Sequence, residues 1–360
     1  MEALEKLKRF WNNKRVLITG HTGFKGSWLA LWLVHYGADV VGVSIEPPSK
    51  INLYEKLKIK EKIKDYRINI LQNKKLEEIF QLHKPEIVFH LAAQSLVLNS
   101  YEDPKKTYDT NVIGTLNILE AIRKTNSVKS AILVTSDKCY ENVDNKRLKE
   151  NDRLGGIDIY SSSKGATEIL INSYKETFFN FSKYPQISSV RAGNVIGGGD
   201  WAKNRIVPDI YWSFKNKKQL ILRNPRSIRP WQHVLDPLFG YLLLAKKMYV
   251  TKGVYNEAWN FGPKTKNNKN VRDLVHEFGK YWNISKLNIS SKRNKIKEEN
   301  SLMLSSLKAK KRIGWRSMLN FNESVKLTAK WYLKEINNKN MYTESIKQIE
   351  FFERIIKNEN

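Results

Sequence analysis

A chain of 360 residues with 41% apolar residues can build one large or two closely joined domains around a sizeable core. Lys+Arg 63 against Asp+Glu 36 gives a net charge of +27, but the cations lie scattered, as in Lys215-Asn216-Lys217-Lys218 and Lys266-Asn267-Asn268-Lys269. That pattern reads as a compositional bias rather than a basic arm, so no nucleic-acid partner is expected. The single cysteine, Cys139, excludes an intrachain disulfide, and no apolar run reaches the length of a membrane span. With a charged start and no secretory apolar region, a cytoplasmic protein is expected, with no membrane association.

In chain order, Val16-Leu17-Ile18-Thr19 reads as a buried strand. It runs into Gly20-His21-Thr22-Gly23-Phe24-Lys25-Gly26 and then an apolar helix from Ser27 to Val34. A strand, a glycine turn and a helix form the arrangement in which backbone N–H groups at a helix N-terminus receive a pyrophosphate. Gly20 permits the tight turn, Gly23 the approach of the phosphates and Gly26 close helix–strand packing. The spacing is G-x-x-G-x-x-G, and the turn predicts cofactor contacts from Gly20, Thr22, Gly23, Phe24, Lys25 and Gly26. Val40 to Val43 is a second strand, ending at Ser44-Ile45-Glu46, where an acid that grips an adenosine ribose is expected. Either Ser44 or Glu46 stands at that point, and Glu46 is the candidate ligand.

Tyr66 to Ile70 reads as a third strand, Leu76 to His83 as a helix, and Ile87 to Leu91 as a fourth strand opening into Ala92-Ala93-Gln94. Pro104 to Lys124 fits one long helix. Three alternations of strand and helix before residue 130 predict right-handed crossovers and an α/β, Rossmann-type doubly wound parallel sheet. Ala131 to Val134 is a further buried strand leading into Thr135-Ser136-Asp137-Lys138, and Tyr160 and Lys164 stand one turn apart on a following helix. A Tyr and a Lys at that spacing are commonly a solvated face. Here the pair lies downstream of a glycine turn and a strand-end serine, so a catalytic reading is preferred. A phenol titrates near 10, and an ammonium beside Tyr160 brings it toward use as a base. Ser136 can bond the hydroxyl that Tyr160 deprotonates, and Lys164 can reach the ribose of a nicotinamide nucleotide.

Ser188 to Arg191 reads as another strand, entering a glycine-rich loop from Ala192 to Trp201. Periodicity weakens over 205–330, Trp259 to Gly262 reads as a late strand returning to the sheet, and Leu327–Lys334 and Thr343–Ile356 are helix candidates. The division expected is a Rossmann domain at 12–190 (with 232–262 returning to it), a smaller C-terminal substrate-binding domain from 191–231 and 263–330, and a helical extension at 331–360.

These motifs, with Arg229-Pro230-Trp231-Gln232-His233 and Ile313-Gly314-Trp315, resemble the extended short-chain dehydrogenase/reductase family over nearly the whole chain. Ser-Asp-Lys at the strand end, Lys25 in the glycine turn and Gly197-Gly198-Gly199-Asp200-Trp201 resemble its nucleotide-sugar 4,6-dehydratases that act on CDP-glucose. The resemblance implies NAD as cofactor, CDP-glucose as substrate, no metal, and a homodimer formed through the 104–124 and 160–180 helices. It implies catalytic roles for Ser136, Asp137, Lys138, Tyr160 and Lys164, with Asp137 as the acid that protonates the departing C6 hydroxyl. It adds Asn69, Ile70, Leu91, Ala92 and Ala93 to the cofactor contacts, and Gln94, Ser136, Asn194, Arg205 and Arg229 to the substrate contacts. Lys138 departs from the glutamate of the dTDP-glucose enzymes: a protonated lysine cannot accept the C5 proton, so it acts either as a neutral base or as a cation beside an enolate. Asn69 stands where an Asp is frequent, and Ile159 replaces a Pro before the tyrosine. A 4-epimerase of the same family shares Tyr160, Lys164 and Ser136 but has no use for Asp137. A non-catalytic binding protein on the same fold has no need of Tyr160 and Lys164.

Overall fold

The inner strands of the central sheet are short runs buried on both faces, as a parallel sheet between helical layers requires, while the edge strand Lys64–Arg67 is polar and only partly buried. The computed structural model describes residues 2–141, 146–180, 185–251, 253–282, 289–291 and 302–359. Seven parallel strands are β1 (Arg15–Thr19), β2 (Asp39–Ser44), β3 (Lys64–Arg67), β4 (Ile87–His90), β5 (Ser130–Val134), β6 (Gln186–Arg191) and β7 (Trp259–Asn260). Their order is β7-β6-β5-β4-β1-β2-β3, with the reversal between β1 and β4. In such a sheet ligands bind beyond the carboxyl ends of the strands at that switch point, and the carboxyl ends of β1, β4, β5 and β6 all carry predicted site residues.

Four expectations from the sequence change. The third strand ends at Arg67 rather than running to Ile70. Asn69 accepts from the Leu71 backbone N–H at 3.0 Å and turns the chain out of the sheet. The helix from Pro104 is interrupted by a π turn at Asp109–Ile113 before Gly114–Arg123. The aperiodic stretch after 205 contains a long helix, Leu235–Val250, apolar on nearly every side because it is buried among the sheet and the outer helices. Residues 283–288 and 292–301 of the expected substrate-binding segment lie outside the described residues.

The last change is at the C-terminus. The helix Phe321–Ile336 runs straight through the expected boundary at 331, opened by an Asn320–Glu323 capping box. Trp331, Tyr332, Ile349, Phe352 and Ile356 share one core cluster with Trp28 and Trp32 of the first apolar helix. The helices at 331–360 are part of the main core rather than an extension.

Candidate active site

The glycine turn is built for close approach. Gly20 has φ +76, and a Cβ on it would lie 2.7 Å from the Ala92 nitrogen; on Gly26 it would lie 2.1 Å from the Gly20 oxygen. Both positions exclude a side chain, so β1, the β4 loop and the helix Phe24–His35 can meet. Gly23 caps that helix without any side-chain bond to its first N–H groups. Those donors face a cleft of about 630 Å³, which Thr22, Phe24, Lys25, Ser44, Glu46, Asn69, Ile70, Leu91, Ala92 and Ala93 also line. This is a cradle of backbone donors and small residues that fits a dinucleotide pyrophosphate.

At the end of β2, Ser44 Oγ lies 2.7 Å from Thr22 Oγ1 and is buried, whereas Glu46 is exposed at the cleft margin. Gln94 lies apart from the cleft lining. Its amide donates to the Leu96 carbonyl and Thr107 Oγ1, both at 3.0 Å, and accepts from Leu96 N at 2.7 Å. It shapes the loop after β4, where the sequence suggested a substrate contact.

At the end of β5 the reacting groups converge. Ser136 Oγ donates to Asp137 Oδ1 at 2.9 Å, accepts from Lys138 N at 3.2 Å, and hydrogen-bonds the Tyr160 phenol. Asp137 is buried, and Lys138 is half-buried at the cleft wall. The helix Ile159–Tyr174 that carries Tyr160 and Lys164 starts behind Asp158, whose carboxylate accepts from Ser161 N at 2.9 Å, so Ile159 serves without a proline. Burial pushes the Tyr160 phenol up to about 12, with the nearby Asp137 charge adding to the rise; the Ser136 bond and Arg205 work against it. The sequence assigned that lowering to Lys164. Burial instead depresses the Lys164 ammonium itself to about 8, against the attraction of Glu168. Lys25 is brought to about 8 by burial, Arg205 and Lys164 against the attraction of Asp137, and Arg205 is also near enough to Tyr160 to oppose its rise.

Beneath this cluster lies a network that sequence motifs did not announce. Arg191, on β6, donates to Glu168 through Nε at 2.8 Å and through a terminal nitrogen at 2.6 Å, and to Tyr140 Oη at 2.6 Å. Thr135 and Ser189 also donate to Glu168. The predicted nucleotide contacts lie on the far side. Asn194, at φ +49, Arg229 and Arg205 all line the cleft, and Arg205 is ion-paired with Asp200 at 2.9 Å. Asn tolerates that left-handed backbone better than most residues. His233 is wholly buried and held near 3 by burial, a packing residue beside Trp28. Asp209 and Arg223, not singled out by any motif, line the same end of the cleft.

Comparisons with known proteins agree with this architecture. A family model described as GDP-mannose 4,6 dehydratase matches residues 17–328. The CDP-glucose 4,6-dehydratase of Salmonella typhimurium is 42% identical over 347 residues, covering 95% of this chain and 97% of that protein. A dTDP-D-glucose 4,6-dehydratase of Dictyostelium discoideum is 30% identical, covering 69% of this chain and 59% of that protein. Among solved structures, the dTDP-glucose 4,6-dehydratase of Bacillus anthracis in complex with NAD superposes with TM-score 0.76 at 21% identity, over 91% of this chain and 99% of that one. The UDP-glucose 4-epimerase of Thermotoga maritima with UDP-glucose gives 0.78 at 24% identity, over 89% and 99%. At those identities the structures speak for the fold alone.

Proposed function

The chain belongs to the GDP-mannose 4,6 dehydratase family, and we propose that it converts CDP-D-glucose into CDP-4-dehydro-6-deoxy-D-glucose, using NAD that it regenerates, in deoxysugar synthesis for surface polysaccharide. One observation carries the reading: a buried carboxyl, Asp137, sits within the Ser136–Tyr160–Lys164 cluster of a dinucleotide cleft. Oxidation and reduction at C4 need a phenol, a hydroxyl and an ammonium; expelling the C6 hydroxyl as water needs an acid as well.

Bound in the glycine-turn cradle, NAD would supply the hydride acceptor for C4 and, once reduced, the hydride donor for C6. The chain's own groups handle protons and charge. Tyr160 takes the C4 hydroxyl proton as its phenolate, the form that the Ser136 bond and Arg205 favour against burial, and Ser136 bonds the same oxygen. The resulting ketone acidifies C5–H, Lys138 at the cleft wall takes that proton in its uncharged form and becomes an ammonium, and Asp137 protonates the departing C6 oxygen. Lys138 brings positive charge to the wall where enolate charge develops. The glycine-turn backbone, Glu46, Asn69 and Ile70 hold the cofactor, and Asn194, Arg205 and Arg229 the diphosphate, for which guanidinium forks are suited.

The same proposal includes a homodimer through the 104–124 and 160–180 helices, supported by the exposed Tyr108, Ile113 and Ile169 on those elements. It also includes a cytoplasmic location, supported by the single, buried Cys139.

The test is incubation of the purified protein with NAD and CDP-glucose carrying deuterium at C4. Loss of one water by mass, with the deuterium recovered at C6, is the expected result. Turnover of dTDP- or UDP-glucose with CDP-glucose untouched overturns the nucleotide assignment, and no reaction with any of the three overturns the enzyme assignment. In Asp137→Asn, C4 oxidation continues and elimination stalls, so near-ultraviolet absorbance of enzyme-bound reduced cofactor accumulates.

A further inference from the structure

The cleft extends beyond what the cofactor cradle and the catalytic cluster occupy. Past Arg205 it is walled by Val207, Ile221, Leu222 and Val271 and flanked by Arg223 and Arg229. Apolar walls with arginines at the entrance suit a nucleoside whose diphosphate faces the catalytic cluster. Among the described residues four acids line the cleft. Glu46 stands at the cofactor end, Asp137 at the reacting centre, and Asp200 is tied to Arg205. Asp209 is the remaining one, and a carboxylate in a pocket for an anionic ligand weakens binding unless it makes a specific contact.

Asp209 lies in the first turn of the helix Ile206–Lys215, with its side chain partly exposed to the cleft. Arg223 is ion-paired with Asp209 Oδ2 at 3.6 Å, and the same guanidinium donates to the Asn204 carbonyl at 2.6 Å. Among the described residues no side chain donates a hydrogen bond to Asp209, and beyond the Arg223 ion pair its carboxylate is partly exposed in the cleft lining. Burial raises it to about 6, which leaves it mainly ionised at neutral pH.

We propose that Asp209 reads the nucleobase: its carboxylate accepts a hydrogen bond from the exocyclic 4-amino group of cytosine. Carboxylates are natural acceptors for that amine. Uracil and thymine place a carbonyl oxygen at the same position, and two sets of lone pairs then face each other with no proton between them. A site built around such a contact rejects the analogue that lacks it. This inference rests on the CDP-glucose reading above and names the residue that makes the choice of nucleotide.

The experiment compares kcat/KM for CDP-glucose and UDP-glucose in the wild type and in Asp209→Asn, with CMP and UMP as competitive inhibitors in parallel. Asn can turn its NH₂ toward a uracil carbonyl. The CDP/UDP preference should therefore fall about ten- to hundredfold, in KM and in the inhibition constants rather than in kcat, and Asp209→Glu should keep part of it. An equal loss with both nucleotides, leaving the ratio unmoved, means that Asp209 only supports Arg223 and overturns this inference alone. A wild type that dehydrates UDP- or dTDP-glucose but not CDP-glucose overturns the functional reading and this inference together.

Discussion

Gly193 carries no functional group, yet a Cβ built on it would lie 1.7 Å from Asp137 Oδ2. The acid of the proposed elimination is therefore positioned by the absence of a side chain on the neighbouring strand's exit loop. Gly193→Ala should fold, bind cofactor and still oxidise C4, but stall before water is lost, matching Asp137→Asn in its accumulated reduced-cofactor absorbance; product formed at the wild-type rate would refute this. Lys164 shows the opposite relation, a group that costs stability where it is useful. Its depression from 10.5 to about 8 by burial corresponds to roughly 3 kcal/mol at ~1.4 kcal/mol per pH unit. Below pH 8 the ammonium is charged in both the folded and unfolded chains, so the penalty is present in full. Between 8 and 10.5 the folded chain sheds its proton first and the penalty is relieved. Cofactor-free Lys164→Met should thus be inactive yet more stable than wild type at pH 7 by up to about 3 kcal/mol, with the gap narrowing toward pH 10 in urea denaturation. A variant less stable at both pH values would refute it.

At the scale of elements, the helix Ile159–Tyr174 packs on the sheet through Ile171 and is tied to it by one buried ion pair. Glu168 gathers Thr135 from the end of β5, Ser189 and Arg191 from β6, and Arg191 passes the connection on to Tyr140, which donates to Asn260 on β7 at 2.8 Å. Both charges are almost wholly buried. Removing one partner of such a pair leaves an uncompensated charge and typically costs about 3–5 kcal/mol. Glu168→Gln should lose stability on that order in urea denaturation, while the double change Glu168→Gln with Arg191→Met recovers part of it; a single variant as stable as wild type would show the pair to be incidental. Sequence reading found this helix and strand because Tyr160 and Lys164 are local in the chain and β6 runs directly into the glycine-rich loop. The bridge between them joins residues 23 positions apart that carry no motif, and its value appears only when β5, β6 and the helix are brought together. The same distinction explains the misplaced end of β3, where Ile68 and Ile70 look like strand residues but Asn69 ends the pairing. It also explains the unseen helix Leu235–Val250, whose burial on all sides erases the amphipathic period.

Across the whole molecule, legibility follows contact distance along the chain. The glycine turn, Ser136–Asp137 and Tyr160–Lys164 are short-range patterns, and the structure gathers them in one cleft. What supports the nucleotide end is long-range. Trp28 Nε1 donates to the Gly198 carbonyl at 2.9 Å, and a Cβ on Gly198 would lie 2.1 Å from the Trp331 ring. Tyr332 donates to the Asp200 carbonyl, and Asp200 holds Arg205. The glycine loop is thereby clamped between the first apolar helix and the helix Phe321–Ile336, and the latter acts on the cleft through Asp200 and Arg205 without lining it. Trp331→Ala opens a cavity under that loop and should cost about 3–5 kcal/mol. It should also raise KM for the nucleotide-sugar more than it lowers kcat, because Arg205 loses its fixed partner while Tyr160 and Asp137 keep theirs. Deleting 331–360 removes Trp331, Phe352 and Ile356 from the core and should yield no folded protein. A soluble, cooperatively melting truncation with unchanged KM would show that the C-terminal helices are an appendage after all.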